Sequence, residues 1–167
     1  YIDLFRGTPL LVQIIIIHSA LIPTLAGHSI SAIQSGIIAL SLNSGAYVAE
    51  IFRAGIQSID RGQMEAARSL GLTHRQSMQM IILPQAFRRI LPPMGNEFIT
   101  LLKDSSLLMS ISLMELMMVG KVIQGRHAVT WEAYLPVAAL YLIMTLALSQ
   151  LVQYLERRMV TENLTEN

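Results

Sequence analysis

Two groups of residues carry chemistry that their neighbours do not explain. One is a lone carboxylate, Glu115, set among Met114, Leu116, Met117 and Met118. The other is a basic stretch from Gln57 to Arg89, which separates long apolar runs and contains Glu65-Ala66-Ala67, Gly71 and Ile81-Ile82-Leu83-Pro84. Neither is arranged for making or breaking bonds. The absence of cysteine excludes disulfides, thiolate metal sites and cysteine nucleophiles. His18, His28, His74 and His127 lack metal-ligand spacing, so no metal site is expected. No Ser/His/Asp arrangement stands out, and no Gly-x-x-x-x-Gly-Lys-Ser/Thr loop cradles a phosphate, so no nucleotide is expected on this chain. The residues point to docking and coupling.

The elements that must position them are membrane helices. Of 167 residues, 53% are apolar and 14% charged, against about 25% charged in an ordinary soluble domain. A bilayer core needs roughly 20 mostly apolar residues per helix. Four segments come close: Pro9 to Leu25, Ile30 to Phe52, Ser105 to Val122 and Tyr134 to Tyr154. The expected fold is all-α, a polytopic transmembrane helical bundle. Residues 1–158 form one transmembrane domain with a loop at about 57–93, and 159–167 form a tail. The opening Tyr1-Ile2-Asp3-Leu4-Phe5-Arg6 lacks Met and a signal-peptide pattern. It reads as the middle of a longer chain, an N-terminal truncation lacking at least one earlier helix.

On this reading Glu115 lies near the middle of the third span, where an acid costs roughly 2.5–3.5 kcal/mol unless paired or wetted. It either faces a central cavity and holds the cation of a substrate, or it is a structural acid bonded to a neighbouring helix. Thr8 and Gln13 could line the same path, although helix packing also accounts for them. Glu50 and Glu97 lie near a boundary where Arg53 or the loop arginines could pair with them. Ser31, Gln34, Ser35, Ser41, Asn43, Ser44 and Glu50 make the second span unusually polar. Small and hydroxylated residues let helices approach closely in lipid, so most of these positions read as packing. Lys103-Asp104-Ser105-Ser106 interrupts a long apolar run and predicts an irregular element.

Lys and Arg set the threading. Arg6, the seven basic residues from Arg53 to Lys103, and Arg157 with Arg158 make ten on one side, against Lys121 and Arg126 on the other. The ten predict a cytoplasmic loop and cytoplasmic ends. Within the loop, a helix from Gly62 to Leu70 begins near Asp60 and stops at Gly71, a left-handed cap. Thr73 and Gln76 have capping-box spacing and start a second helix. Pro84 fits a kink or a first turn, and Pro92-Pro93 ends the helix. Ala66 and Ala67 present a small, flat surface that a groove on another protein could accept. A basic loop resting on anionic lipid would use Arg68, Arg75, Arg88 and Arg89 equally well.

The spacing of Glu65-Ala66-Ala67, three residues, Gly71, nine residues, Ile81, one residue and Leu83-Pro84 resembles the EAA signature of the membrane subunits of ABC importers, without a gap. Phe5 to Pro9, Ser44 to Arg53, Leu83 to Arg89, Gly95 to Ile99 and Leu102 to Leu107 resemble the polar amino-acid uptake branch. The resemblance runs from Tyr1 to about Arg158. It implies a permease subunit of an ATP-driven importer in the bacterial inner membrane, carrying amino acids of the histidine, arginine, lysine, glutamine or glutamate type. It implies that Gln63, Glu65, Ala66, Ala67, Ser69, Leu70, Gly71 and Leu72 form the coupling helix that docks on a separate ATPase, which holds ATP and Mg. The implied partners are two ATPase subunits, a second permease subunit, the same or related, and an extracytoplasmic binding protein. The lipid bilayer surrounds them, and no nucleic acid is involved. Such proteins usually have five spans. The competing reading is a passive channel or membrane scaffold with a basic docking loop, and ATP dependence of uptake separates the two.

Overall fold

The computed structural model describes residues 1–161, and the regular structure in them is helical throughout. A short helix α1 (Ile2–Arg6) turns at Gly7-Thr8-Pro9 into an apolar helix, Leu10–Ala26. This second rod comprises α2 (Leu10–Ile16), a π turn (Ile17–Leu21) and α3 (Ile22–Ala26). The long helix α4 (Ala32–Gln57) follows, started by a capping box in which Ser31 and Gln34 satisfy each other's backbone donors. Then come α5 (Arg61–Ser69), α6 (His74–Ser77), a second π turn (Met78–Ile82), α7 (Leu83–Asp104) and a 3-10 turn (Ser105–Ile111). The chain ends in α8 (Leu116–His127) and α9 (Thr130–Thr161).

The two π turns solve one problem twice. Each is followed by one residue and then a proline, Pro23 or Pro84. A proline has no N–H to donate, and its ring crowds the carbonyl four residues back. Here those carbonyls belong to Ser19 and Met80, inside the wider π turns. The helix runs on instead of breaking. His74 to Ile111 is consequently one long helix, entering the membrane from the loop.

That continuity corrects the sequence reading in three places. Pro92 and Pro93 lie inside α7 and do not end it. They withdraw two donors from the ladder, yet α4 and α9 pack along this helix and hold it in register. The third apolar element therefore begins well before Ser105. Lys103 belongs to it rather than to the loop, and Glu97 receives a hydrogen bond from Ser44 Oγ at 3.0 Å in mid-helix, not from a loop arginine. The expected irregularity is present but shifted. The backbone tightens to a 3-10 turn at Ser105, and the real break falls at Ser112, whose φ is 61°. Across it the helix His74–Ile111 and α8 differ in direction by 47°.

Ala32–Gln57 and Thr130–Glu156 are each long and apolar enough to cross a bilayer. The bent pair qualifies together, and Leu10–Ala26 is shorter. Three of the four expected segments thus fall on apolar helices, while the third, Ser105 to Val122, straddles the break between the 3-10 turn and α8. The residue contacts order them. Gly55 lies against Ile90 and Ala86, Ser44 meets Glu97, and Gly36 lies against Leu108, so α4 and α7 are antiparallel. Gly95 meets Val152 and Gly120 meets Val137, so α9 returns antiparallel to α7. A side chain at Gly55 or Gly95 would collide with Ile90 or Val152. One core, of Ile14, Ile17, Ala39, Leu108 and Ile111, sits at the far end. Another, of Ile59, Ile82, Ala86 and Ile90, lies under the loop. The end of α4, α5, the start of α7 and the end of α9 share one side of the molecule. Residues 159–161 continue α9, and the rest of the expected tail lies outside the described residues.

Candidate functional site

The loop is pinned at both ends by its own sequence. Asp60 Oδ1 accepts the Gly62 N–H at 2.7 Å and caps α5. At the other end the Gly71 N–H donates to the Arg68 carbonyl and the Leu72 N–H to the Ala67 carbonyl, at 3.0 and 3.2 Å. This is a Schellman cap, and it requires the left-handed Gly71, at φ 87°. Thr73 and Gln76 form the expected capping box and start α6 at once. Arg89 reaches back to the Ser58 carbonyl and ties the entrance of the loop to α7.

These caps leave α5 lying on the helix that continues into the membrane. Ala67 and Met64 face inward, and Ala67 is only 5% exposed, beside the Ile59–Ile82 core. Successive residues of a helix are turned by about 100°, so the expected flat pair is divided: Ala67 packs within the chain and Ala66 faces out. Gln63, Glu65, Ala66 and Ser69 are exposed with it. Ser69 Oγ donates to the Glu65 carbonyl at 2.9 Å, which leaves the outward face low in relief. Gln85 donates to Gln63 Oε1 at 3.5 Å, joining α5 loosely to α7. Leu70 stands out from this surface at 84% exposed, the most exposed of the large apolar residues among those described. Beside α5, a cleft of about 420 Å³ is lined by Ile56, Gln57, Ile59, Asp60, Arg61, Met64, Met78 and Ile82.

The polar residues at membrane depth are placed differently. Glu115 lies at the break before α8 and not in the middle of a helix. Its carboxylate accepts the Met117 and Met118 N–H groups at 2.8 and 2.6 Å and the Tyr141 hydroxyl at 3.1 Å. It is the N-cap of α8. Gln13 is 8% exposed. Its amide donates to the Phe5 and Thr8 carbonyls and to Thr8 Oγ1, while its oxygen accepts from Asn43 at 2.9 Å. With Arg6 paired to Glu50 at 3.5 Å and Tyr1 bonded to the Leu42 carbonyl, this network fastens α1 along α4. His18 Nδ1 lies 2.6 Å from Ser35 Oγ, and Ser35 donates to the Ser31 carbonyl. The polar stripe of α4 is largely helix-to-helix bonding. Sequence reasoning passed over Asn96 and Thr100, exposed side chains on the outer face of α7 with Lys103. Their signal, a polar side chain every three or four residues along an apolar helix, was readable once Pro92-Pro93 ceased to count as a stop.

The comparisons agree with this arrangement. Residues 1–161 match the family described as binding-protein-dependent transport system inner membrane component. The chain is 42% identical over 159 residues to the probable glutamine ABC transporter permease protein GlnM of Bacillus subtilis (strain 168), covering 95% of this chain and 73% of that protein. It is 40% identical, with the same coverage, to the glutamine transport system permease protein GlnP of Escherichia coli (strain K12). The crystal structure of an amino acid ABC transporter with histidines superposes with a TM-score of 0.88 at 47% identity, over 95% of this chain and 73% of that one. The inward-facing MetNI methionine ABC transporter shares the fold, with a TM-score of 0.78 at 20% identity, over 94% of this chain and 71% of that one. Loop, helices and relatives agree: the chain belongs to the binding-protein-dependent inner membrane components, the permease subunits of ABC transporters.

Proposed function

We propose that this permease subunit passes polar amino acids across the bacterial inner membrane and that α5, with its Gly71 turn, is where a separate ATPase drives it. The observation that carries this is the surface of α5. It is a helix capped at both ends and backed by its own chain, and it presents Gln63, Glu65, Ala66 and Ser69 around a projecting Leu70. A low surface with one apolar knob suits a groove on a partner, because a buried apolar anchor supplies much of the affinity of an interface. The glutamine transport named for the relatives supports the substrate class.

In this reading an extracytoplasmic binding protein delivers the amino acid to a pair of permease subunits, the same or related. Two ATPases hold ATP and Mg and grip one α5 each from the cytoplasm. Their closure on ATP draws the α5 helices together. The Arg89–Ser58 tie and the core of Ile59, Ile82, Ala86 and Ile90 pass that motion into α7. Access turns from inside to outside, and hydrolysis resets it. Ala66→Asp would place a charge in the docking groove, and Leu70→Asp would remove the knob. Both variants are expected to insert and fold normally, to lose the ATPase on co-purification, and to lose ATP-driven uptake in vesicles. Full ATPase yield with normal uptake in both variants would sink the proposal.

A further inference from the structure

We propose that the groove between α7 and α9 holds one acyl chain of a phospholipid and that Glu156, at its mouth, accepts the primary ammonium of that lipid's headgroup. The site goes beyond the import reading and needs only that α7 and α9 lie in a bilayer. The two helices are pressed together where Val152 packs on Gly95. Beside that contact they part and leave a groove of about 300 Å³, walled by Leu91, Met94, Phe98, Leu148, Leu151 and Leu155.

Its dimensions select a chain and not a helix. The lining runs from Leu148 to Glu156 on α9, about 12 Å. The mean section is therefore about 25 Å². A polymethylene chain in van der Waals contact, about 5 Å across, has a section of roughly 20 Å². A helix, about 10 Å across, needs roughly 80 Å². Depth agrees. Leu91 comes two residues after Arg89, and Phe98 lies about 10 Å farther along the rod. The groove thus occupies the loop-side half of a hydrocarbon core about 30 Å thick. Phe98 and Leu151 stand open to it, 65% and 52% exposed.

Acyl chains are as apolar as leucine, so the walls seat a lipid without choosing among lipids. The choice falls to Glu156. Because α9 runs antiparallel to α7, this residue stands at the loop-side end of the groove, level with Leu91. It is partly buried, and among the described residues it makes no hydrogen bond and no ion pair. A carboxylate at the edge of hydrocarbon needs a cation or donors. A glycerol headgroup leaves its phospholipid anionic and is repelled. A choline headgroup is cationic but has no N–H. An ethanolamine headgroup brings an ammonium with three N–H donors on the same molecule as the seated chain, and so supplies a charge-assisted bond.

The test uses the assembled transporter in vesicles of equimolar phosphatidylethanolamine, phosphatidylcholine and phosphatidylglycerol. The photoreactive p-benzoylphenylalanine replaces Phe98 in one sample. In a second it replaces Ile143, which is 62% exposed and turned about 180° from Val152 on α9, and so reports the surrounding bilayer. Adducts are identified by mass spectrometry. At Phe98 the phosphatidylethanolamine adduct is expected to exceed its share at Ile143 by about two- to fivefold, and Glu156→Gln is expected to abolish the excess. Equal shares at the two positions, as for ordinary boundary lipid, overturn the site. So does cross-linking of Phe98 to protein, as for a groove covered by another subunit or segment. An excess shared by phosphatidylcholine, or one that survives Glu156→Gln, overturns the role of Glu156. Should the probe at Phe98 prevent assembly, Leu151 carries it, with the same outcomes.

Discussion

Glu115 shows how far a single residue can be read. Its type and depth mark it as anomalous in the sequence, because an acid among methionines must be satisfied by something. What satisfies it is not legible there. Tyr141 lies 26 positions away. The helix start that Glu115 caps exists because Ser112 adopts a left-handed turn without glycine or proline to announce it. A cap is worth about 0.5–2 kcal/mol. Glu115→Gln keeps one oxygen but turns an NH2 group toward a backbone N–H that needs an acceptor. The expected result is a lower melting temperature of the assembled transporter and an equal fractional loss of uptake for cationic and neutral amino acids. Parallel uptake assays with arginine and glutamine check this, and a loss confined to arginine would put the carboxylate on the substrate instead. His18 follows the same logic. Its Nδ1 meets Ser35 Oγ, a partner 17 positions away on α4 that local sequence does not announce.

Elements governed by nearest neighbours were legible; elements governed by tertiary packing were not. The α5–α6 turn follows from residues a few positions apart: Asp60, Gly71, and Thr73 with Gln76. The course of α7 does not, since a proline pair ordinarily ends a helix. Its persistence depends on α4 and α9, which local sequence does not reveal, and on the π turn that accommodates Pro84. The division of Ala66 from Ala67 likewise needed the position of the Ile59–Ile82 core. The Gly71 turn yields a prediction at this scale. A β-branched residue at φ 87° is strained by roughly 1–2 kcal/mol. Gly71→Val is expected to shift or fray the end of α5. Helical content by circular dichroism should stay the same while ATPase co-purification falls severalfold. Gly71→Asn, which tolerates the left-handed region, is expected to retain most of it. Equal co-purification of wild type and Gly71→Val would show that the turn does not shape the docking surface.

At the scale of the whole molecule, helix contacts establish which ends lie together, and the distribution of basic residues supports a direction for them. Arg53, Arg61, Arg68, Arg75, Arg88 and Arg89 gather where α4 ends and α7 begins, while Lys121 and Arg126 lie on α8. We infer that the first group is cytoplasmic. Thr73→Cys is then expected to resist an impermeant maleimide in intact cells, and Gly27→Cys, at the exposed turn after α3, to react readily. Labelling of Thr73→Cys from outside would invert the threading. The helix from His74 to Ile111 also has a mechanical consequence. It is a beam that begins in the loop after α5 and ends beyond Lys103, with the missing ladder bonds at Pro92 and Pro93 as its natural fulcrum. The arm from that fulcrum to Lys103 is about 16 Å, so a tilt of about 10° sweeps its end through about 3 Å. That stroke is comparable to one hydrogen-bond length, so a small torque applied at the loop end would be felt at the far end as the difference between contact and separation.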